Sequence, residues 1–328
     1  MPDTSRTSQP EPTPPHHSAA PDAPSAPSAP TTPDHPGHPG DPGHPDRPSQ
    51  LSEPTGDFAL SFDSVAAQYA AARPGYPPHL FAAIEELAHR PIHGARTVDV
   101  GAGTGIATRL LLDHGARVVA AVEPGPGMAA QFRTGLPAVP LIRATGDALP
   151  LADASADLVT YAQAWHWTDP ARSLPEALRV LRPGGSLALW WNVPDPDVHT
   201  SVAQEERLKA RLSGYHAHGI TGEAPAIIRG LAPKLSATQG QAQGQAQGQK
   251  QGPITVASRR LHWRRRVPVD VSLAHLGSRS YFAVLGPEAA APVLEDERRH
   301  LLAAFPDGIV EEAYAVDVTV VRKEGPHS

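Results

Sequence analysis

Residues 98–108 read VDVGAGTGIAT and place three glycines, Gly101, Gly103 and Gly105, within five positions of one another after a short apolar run. The pattern predicts a strand over Thr97–Val100 before this loop and a helix over Ile106–His114 after it. A glycine-rich turn between a strand and a helix lets a ligand approach the backbone closely, at the carboxyl edge of a parallel sheet. The stretch therefore predicts a ligand-binding loop in an α/β fold.

The sequence around this loop alternates between predicted strands and helices. Further strands are predicted at Arg117–Val122, Val139–Arg143, Asp157–Ala162 and Ser186–Trp191, with helices after the turn at 124–127 and over Pro170–Leu181. These strands have little polar alternation, which favours a parallel sheet covered on both faces. After residue 200, helices are predicted at about 202–213 and 287–304. Two long alternating strands at about 254–267 and 310–322 indicate an antiparallel pair at the sheet edge. The predicted fold class is a Rossmann-like, doubly wound sheet.

Two biased segments divide the chain. Residues 1–57 hold 16 of the 38 prolines and are predicted to be a disordered tail, because they can bury little apolar surface. The histidines of this tail could suggest metal capture, but so flexible a segment encodes no site geometry, and we predict no metal. The repeat TQGQAQGQAQGQKQG at 238–252 predicts a flexible loop inside a lid or insert at 200–253. Residues 58–328 form the predicted domain.

Composition narrows the class of protein. The 328 residues carry a net charge of -6 and no cysteine, which excludes a disulfide framework and a cysteine nucleophile. Five arginines at 258–266 could contact nucleic acid, but an exposed edge strand is the preferred interpretation given the acidic balance. With no predicted signal peptide or membrane span, we expect a cytoplasmic monomer or weak homodimer that acts on a small molecule.

The glycine spacing separates two classes of ligand. A dinucleotide site prefers G-x-G-x-x-G, with the pyrophosphate against the helix N-terminus. In this chain Ile106 stands where the third glycine of that motif belongs. The spacing therefore argues against a NAD(P)-dependent oxidoreductase, which stays open as an alternative.

An acidic residue lies near the end of each of three predicted strands, or shortly after it. A carboxylate at Asp99 would repel a pyrophosphate but attract the ammonium group of S-adenosylmethionine, which has no phosphate. Glu123 can accept hydrogen bonds from both ribose hydroxyls of a nucleoside, and Asp147 with Ala148 can meet an adenine. Each acid could instead be a solvated strand end, a helix-terminal charge or a turn former. Together they predict S-adenosylmethionine as the cofactor.

These residues resemble the class I S-adenosylmethionine-dependent methyltransferases. The matching positions are Asp99, Gly101, Ala102, Gly103 and Gly105, then Glu123, Gly146-Asp147-Ala148 and Leu181-Arg-Pro-Gly-Gly185. Within that family, Tyr69-x-x-x-Arg73-Pro-Gly-Tyr76 and Ala162-Gln163-Ala164-Trp165-His166-Trp167 are similar to the small-molecule branch related to trans-aconitate methyltransferases. The resemblance spans about residues 58–328, although the repeat at 238–252 departs from the family pattern.

The resemblance implies a seven-stranded sheet with an antiparallel last strand. It also implies that the backbone near Gln163 faces the methionine part of the cofactor, and that Tyr69, Arg73 and Tyr76 cap the pocket. Tyr76 is in addition a candidate for contact with the acceptor.

Methyl transfer is an in-line displacement, so a general base is optional. His166 is the candidate base, and its neighbours Trp165 and Trp167 could form a wall of the acceptor site or contact the sulfonium by cation–π attraction. Core packing is the alternative for all three. The predicted function is methyl transfer to oxygen or nitrogen of a small molecule, with a carboxylate among the candidate acceptors; the alternatives are the oxidoreductase and a non-catalytic cofactor-binding protein.

Overall fold

The computed structural model describes residues 73–215, 222–241 and 253–325, and it describes residues 234–241 through their backbone alone. The predicted tail at 1–57, the predicted pocket residue Tyr69 and residues 242–252 of the Gln/Gly repeat lie outside these ranges. Of the proposed lid or insert at 200–253, the described part contributes two helices.

Within the described residues, seven strands form one mixed sheet in the order β3-β2-β1-β4-β5-β7-β6. Their bounds are Arg96–Val100 (β1), Arg117–Val122 (β2), Leu141–Ile142 (β3), Ala156–Ala162 (β4), Leu181–Pro194 (β5), Ile254–Pro268 (β6) and Ile309–Lys323 (β7). Strands β1 to β5 pair in parallel, and β7 runs antiparallel to both β5 and β6. The predicted fold class and the antiparallel edge pair are confirmed.

Nine α-helices surround this sheet in the described ranges. They are His79–Ala88 (α1), Ile106–Asp113 (α2), Pro126–Gly135 (α3), Pro170–Val180 (α4), His199–Arg211 (α5), Ala224–Gln241 (α6), Val269–Gly277 (α7), Ser280–Leu285 (α8) and Pro287–Ala304 (α9). A short 3-10 turn spans Trp165–Trp167. Helices α2, α3, α4 and α9 were predicted at nearly these positions, and α5 falls on the stretch predicted at about 202–213.

The structure differs from the sequence prediction in several elements. Strand β3 is only two residues long, because Pro140 lies directly before it and cannot donate to a ladder. Strand β5 extends well beyond the predicted 186–191 in both directions. Helices α1, α6, α7 and α8 were not predicted. In α1 the buried side chains Leu80, Phe81 and Ile84 form the apolar face that a helix at this place requires.

Both faces of the sheet are buried, as the apolar strands predict. One face packs Tyr161, Trp165 and Trp191 with residues of α4 and α6. The other packs Trp190 with Val316, Val318 and Val320 of β7 against α1 and α2. In the described ranges no helix is long and apolar enough to cross a membrane.

A buried lysine joins β7 to the start of β5. The ammonium nitrogen of Lys323 donates to the carbonyl oxygens of Leu178 and Leu181, each at 2.7 Å. Burial lowers the pKa of this lysine from its ordinary value. The side chain satisfies carbonyls at the end of α4 that have no partner within the helix.

Candidate active site

The glycine loop between β1 and α2 adopts a backbone that needs its glycines. Gly101 and Gly103 have φ of +68° and +56°, in the left-handed region. A Cβ on Gly101 would lie 2.3 Å from the Cβ of Ala164, whereas a Cβ on Gly103 would meet nothing within 4 Å. Gly101 therefore allows close packing against the segment after β4, and Gly103 leaves space in front of the loop.

An opening in front of this loop gathers residues from three parts of the chain. It is lined by the loop and the start of α2 (Gly101, Ala102, Gly103, Thr104, Ile106, Ala107), by Ala162 and Gln163 at the end of β4, and by Arg73, Pro74 and Tyr76. Six residues predicted for the site meet here: Gly101, Ala102, Gly103, Gln163, Arg73 and Tyr76. Thr104 and Ile106 were not predicted as site residues, although they belong to the motif that opened the sequence analysis.

The third glycine of the motif, Gly105, packs away from the opening. It has φ of +92°, and a Cβ there would lie 2.7 Å from Leu136 Cδ1 and 3.0 Å from a ring carbon of Phe132. This glycine caps the start of α2 and lets α3 approach. Its role is packing under the loop, which corrects the expectation that all three glycines face the ligand.

Asp99 does not face the opening, and its predicted direct contact with the ligand is corrected. The side chain is fully buried, and its two carboxylate oxygens accept hydrogen bonds from Thr108 Oγ1 at 2.6 Å and Thr160 Oγ1 at 2.8 Å. Burial raises the pKa of Asp99 to about 6, against the opposing effect of the two threonine hydrogen bonds. Asp99 therefore joins β1 to β4 and α2 beneath the loop.

Glu123, directly after β2, connects two loops through its carboxylate. One oxygen accepts from the backbone N–H of Gly103 at 2.8 Å, and the other accepts from Gly125 N–H at 2.7 Å. The residue is 7% exposed. Each carboxylate oxygen has a second lone pair, so Glu123 can hold the glycine loop and also accept from ligand hydroxyls.

Asp147 and Ala148 are outside the residues that line the opening. Asp147 Oδ1 accepts from the backbone N–H of Asp169 at 3.0 Å, and Asp169 in turn caps α4 by accepting from Ala171 N–H. Asp147 is half-buried and Ala148 is exposed. The structure thus shows Asp147 linking the segment after β3 to the start of α4, and the predicted adenine contact stays a prediction.

The three aromatic residues of the 3-10 turn point into different environments. Trp165 is fully buried and its indole N–H donates to Ser173 Oγ at 2.9 Å, so its predicted place in a wall of the acceptor site is wrong. His166 is half-buried, and its Nδ1 lies 3.0 Å from the indole nitrogen of Trp191. Trp167 is 40% exposed and its ring centroid lies 4.5 Å from that of His166.

Gln163 has a left-handed backbone with φ of +55°, which is unusual for a residue with a side chain. Its N–H donates to the carbonyl of Trp190 at 2.8 Å, so the end of β4 stays attached to β5. Strained backbone of this kind often marks a functional site. Here it turns the chain from β4 along the edge of the opening.

Arg73 and Tyr76 form the wall of the opening opposite the loop. Arg73 Nη2 donates to the carbonyl of Ser278, between α7 and α8, at 3.4 Å. The ring of Tyr76 meets Trp190 edge-to-face with centroids 5.7 Å apart. Burial lowers the pKa of the nearby His275 to about 4, and the positive charge of Arg73 contributes to this shift. This wall is therefore anchored both to the sheet and to the C-terminal helices.

Thr104 gives a test of whether the opening suits a polar ligand. Its Oγ1 is buried and has no hydrogen-bond partner in the structure as described. A buried hydroxyl without a partner costs free energy, and a ligand atom at this place would satisfy it. With the open space at Gly103 and the acceptor oxygens of Glu123, the residues fit a nucleoside that carries a polar amino-acid group.

The arginines of β6 are paired within the chain. The ion pairs are Arg259–Glu86, Arg260–Asp317, Arg264–Glu311, Arg265–Glu312 and Arg266–Asp307, with nitrogen–oxygen distances from 2.5 to 3.5 Å. Neighbouring carboxylates thus balance these charges, mostly across the β6–β7 ladder. This agrees with the interpretation of the stretch as a charged edge strand.

Comparison with known proteins shows which proteins the glycine-loop region resembles. Residues 98–189 match the family model described as a methyltransferase domain. An uncharacterised methyltransferase of Mycobacterium tuberculosis strain H37Rv is 48% identical over 139 residues, which are 42% of this chain and 55% of the relative. The demethylmenaquinone methyltransferase of Beutenbergia cavernae is 33% identical over 147 residues, which are 43% of this chain and 60% of that protein.

A solved structure extends the likeness beyond the matched domain. A candidate type II methyltransferase from Anaeromyxobacter dehalogenans superposes with a TM-score of 0.51 at 26% identity, over 78% of this chain and 99% of that one. The chain spans about half the length of the curated relatives it matches first. Residues 98–189 thus match a methyltransferase domain, and the sheet that contains them has a Rossmann-like fold similar to that of a solved methyltransferase.

Proposed function

We propose that this chain transfers a methyl group from S-adenosylmethionine to oxygen or nitrogen of a small-molecule acceptor, with carboxylates among the candidates. The observation that carries the proposal is the opening at the glycine loop, where Gly103, Thr104, Gln163 and Arg73 meet beside the carboxylate of Glu123. In that set, the Glu123 carboxylate can accept hydrogen bonds from a ribose, and the Arg73 guanidinium can pair with a carboxylate.

In this proposal, different residues in and beside the opening bind different parts of the cofactor. Glu123 accepts from the ribose hydroxyls while it keeps its bond to Gly103 N–H. Arg73 pairs with the carboxylate of the methionine part, and Thr104 Oγ1 bonds to a polar atom of the same part. Asp147 and Ala148 are proposed to meet the adenine, and the backbone at Gln163 to lie along the methionine part.

When bound, S-adenosylmethionine supplies a methyl group on a positively charged sulfur. The chain then needs to align the acceptor with that group and to exclude water, since displacement at carbon depends strongly on orientation. Tyr76 and Trp167 are the proposed acceptor contacts, because Tyr76 lines the opening and Trp167 is exposed beside His166.

Two other functions would give different results with the same purified protein. A NAD(P)-dependent oxidoreductase would use the same strand, glycine loop and Glu123, but the loop lacks a glycine at Ile106. A non-catalytic binding protein would bind the cofactor and transfer nothing.

Calorimetric titration of the full chain with S-adenosylhomocysteine and with NAD separates these functions. We expect S-adenosylhomocysteine to bind and NAD to give no heat at the same concentrations; the reverse result would establish the oxidoreductase. The variant Glu86→Gln is the matched control for changes at Glu123, because the Glu86 carboxylate pairs with Arg259 at the surface.

A methyl-transfer screen then identifies the acceptor. It should include carboxylic acids, phenols and amines, and also quinols, because one relative is named as a demethylmenaquinone methyltransferase. Release of S-adenosylhomocysteine with at least one acceptor supports the enzyme. Tight cofactor binding with no turnover across the panel would favour the binding protein.

We further propose that the partners are small molecules and not nucleic acid, and that the chain acts as a monomer or weak homodimer. The pairing of the β6 arginines with acidic residues supports the first point, because paired guanidinium groups gain less from a phosphate backbone. Sedimentation of the protein alone and with duplex DNA tests both points, and a shift with DNA at physiological salt would contradict the first.

A further inference from the structure

We propose that Trp191 fixes the ring of His166 as a hydrogen-bond donor, so that His166 holds the methyl acceptor and does not deprotonate it. The contact with an acceptor rests on the proposed function. The state of the ring does not, and it can be measured in the protein alone.

The argument begins with the chemistry of the two nitrogens. The indole Nε1–H of Trp191 is a donor and has no lone pair to accept with. It lies 3.0 Å from Nδ1 of His166. Nδ1 must therefore present its lone pair to Trp191, and the proton of the neutral imidazole is on Nε2.

The hydrogen bond from Trp191 also disfavours protonation of the His166 ring. An imidazolium carries a hydrogen on both nitrogens, so its Nδ1–H would face the Nε1–H of Trp191, donor against donor. A general base has to pass through that state, because it takes a proton at Nε2 while Nδ1 keeps or receives a hydrogen. Trp191 thus works against His166 as a base and in favour of His166 as a donor.

Both partners are held in place by their surroundings. Trp191 is 2% exposed and lies within the long strand β5. The turn that carries His166 is fixed by the buried Trp165, whose carbonyl accepts from Thr168 Oγ1 at 2.7 Å and whose indole N–H donates to Ser173 Oγ. Trp191 therefore cannot leave the contact without disturbing the core, and the turn that carries His166 is held in place.

His166 follows closely in the chain on residues of the site. Gln163, three residues earlier, lines the opening, and Ala164 packs against Gly101 of the glycine loop. An N–H donor on this turn can bind an oxygen of the acceptor and orient it. In the transfer itself, a lone pair of the acceptor forms the new bond to the methyl carbon, the carbon–sulfur pair stays on sulfur, and any proton on the acceptor leaves to water.

Nuclear magnetic resonance tests the state of the ring directly. Long-range 1H–15N correlation of the 15N-labelled full chain distinguishes imidazole with hydrogen on Nε2 from imidazole with hydrogen on Nδ1, and loss of signal in His166→Gln assigns the ring. We expect the Nε2–H form in the wild-type protein and a mixture of both forms in Trp191→Phe. An Nδ1–H form in the wild type, or the same form in both proteins, would overturn the proposal.

Two substitutions at His166 test the role of the donor. Glutamine can donate through its amide but cannot act as a base, and leucine can do neither. With an acceptor from the screen, we expect kcat of His166→Gln to stay within about tenfold of wild type. That of His166→Leu should fall about tenfold further, the usual size of the loss when one partner of a hydrogen bond is removed.

Equal losses in the two variants would identify His166 as a base and refute the donor role. Unchanged affinity for S-adenosylhomocysteine shows that both variants keep the site. If no cofactor binds to any form of the protein, the proposed function fails while the resonance result on Trp191 still stands.

Discussion

Replacing Asp99 by Asn should remove a pH dependence of stability that the buried carboxyl imposes. Burial raises the pKa of Asp99 in the folded protein to about 6, from 3.8 for an exposed aspartate. Between these values the unfolded chain loses its proton and the folded chain keeps it, so stability falls as pH rises from about 4 to about 6. Below that window both states hold the proton, and above it neither does.

The size of the effect follows from the shift. About two pKa units at 1.36 kcal/mol each correspond to about 3 kcal/mol of unfolding free energy. Asparagine keeps the shape of the side chain and can bond to the hydroxyls of Thr108 and Thr160, but it does not ionise in this range. The difference in stability between Asp99→Asn and wild type should therefore grow by up to about 3 kcal/mol across the window, in favour of the variant.

Urea denaturation followed by circular dichroism at half-unit steps from pH 3.5 to 7 measures this difference. Comparing each variant with wild type at the same pH cancels the contribution of the other titrating groups to the free energy of unfolding. Asp113→Asn, at the exposed end of α2, is the matched control for the chemical change alone. A difference for Asp99→Asn that is constant with pH, or that shrinks as pH rises, would refute the assignment of a buried, raised-pKa carboxyl.

Three other changes test the site and its support. Glu123→Gln should weaken binding of S-adenosylhomocysteine by roughly 1.5–3 kcal/mol, or about 10- to 150-fold by calorimetry, because it loses charge-assisted hydrogen bonds. An affinity equal to that of Glu86→Gln would contradict the ribose role. Gly101→Ala should lower the melting temperature more than Gly103→Ala, because only a Cβ at Gly101 meets Ala164. Gly103→Ala should instead reduce cofactor affinity. The opposite order of melting temperatures would count against the loop geometry. Lys323→Met should cost about 1–3 kcal/mol of stability in urea by leaving buried carbonyls without a donor, and an unchanged midpoint would show that they find another partner.

The sequence was sufficient to predict the strands and helices that are marked by residues within the element or directly beside it. Strand β2 has the predicted bounds of Arg117–Val122, and β6 and β7 fall within a residue or two of the predicted ranges. Apolar runs and glycine or proline stops lie next to the elements that they define, so periodicity is enough to find them. Helix α1 was not predicted, although Leu80, Phe81 and Ile84 give it a buried apolar face.

Six of the predicted site residues line one opening, but the orientation of the Asp99 side chain was not predicted. The acid of the motif, Asp99, was expected to face the ligand, yet its partners Thr108 and Thr160 lie 9 and 61 residues away along the chain. Such distant contacts decide which way a strand-end side chain turns, and no local pattern records them. In the Trp165–Trp167 turn, successive side chains are rotated by about 120°. One of three adjacent aromatic residues therefore enters the core, and the sequence does not show which.

The hydrogen bond from Arg73 to Ser278 joins a wall of the opening to the junction of α7 and α8. A molecule that shifted this junction would also displace the guanidinium group, and with it whatever the guanidinium binds. Thermodynamic linkage makes such coupling reciprocal: an acceptor that tightened the hold on the cofactor would itself be bound more tightly, by the same factor, once the cofactor was in place.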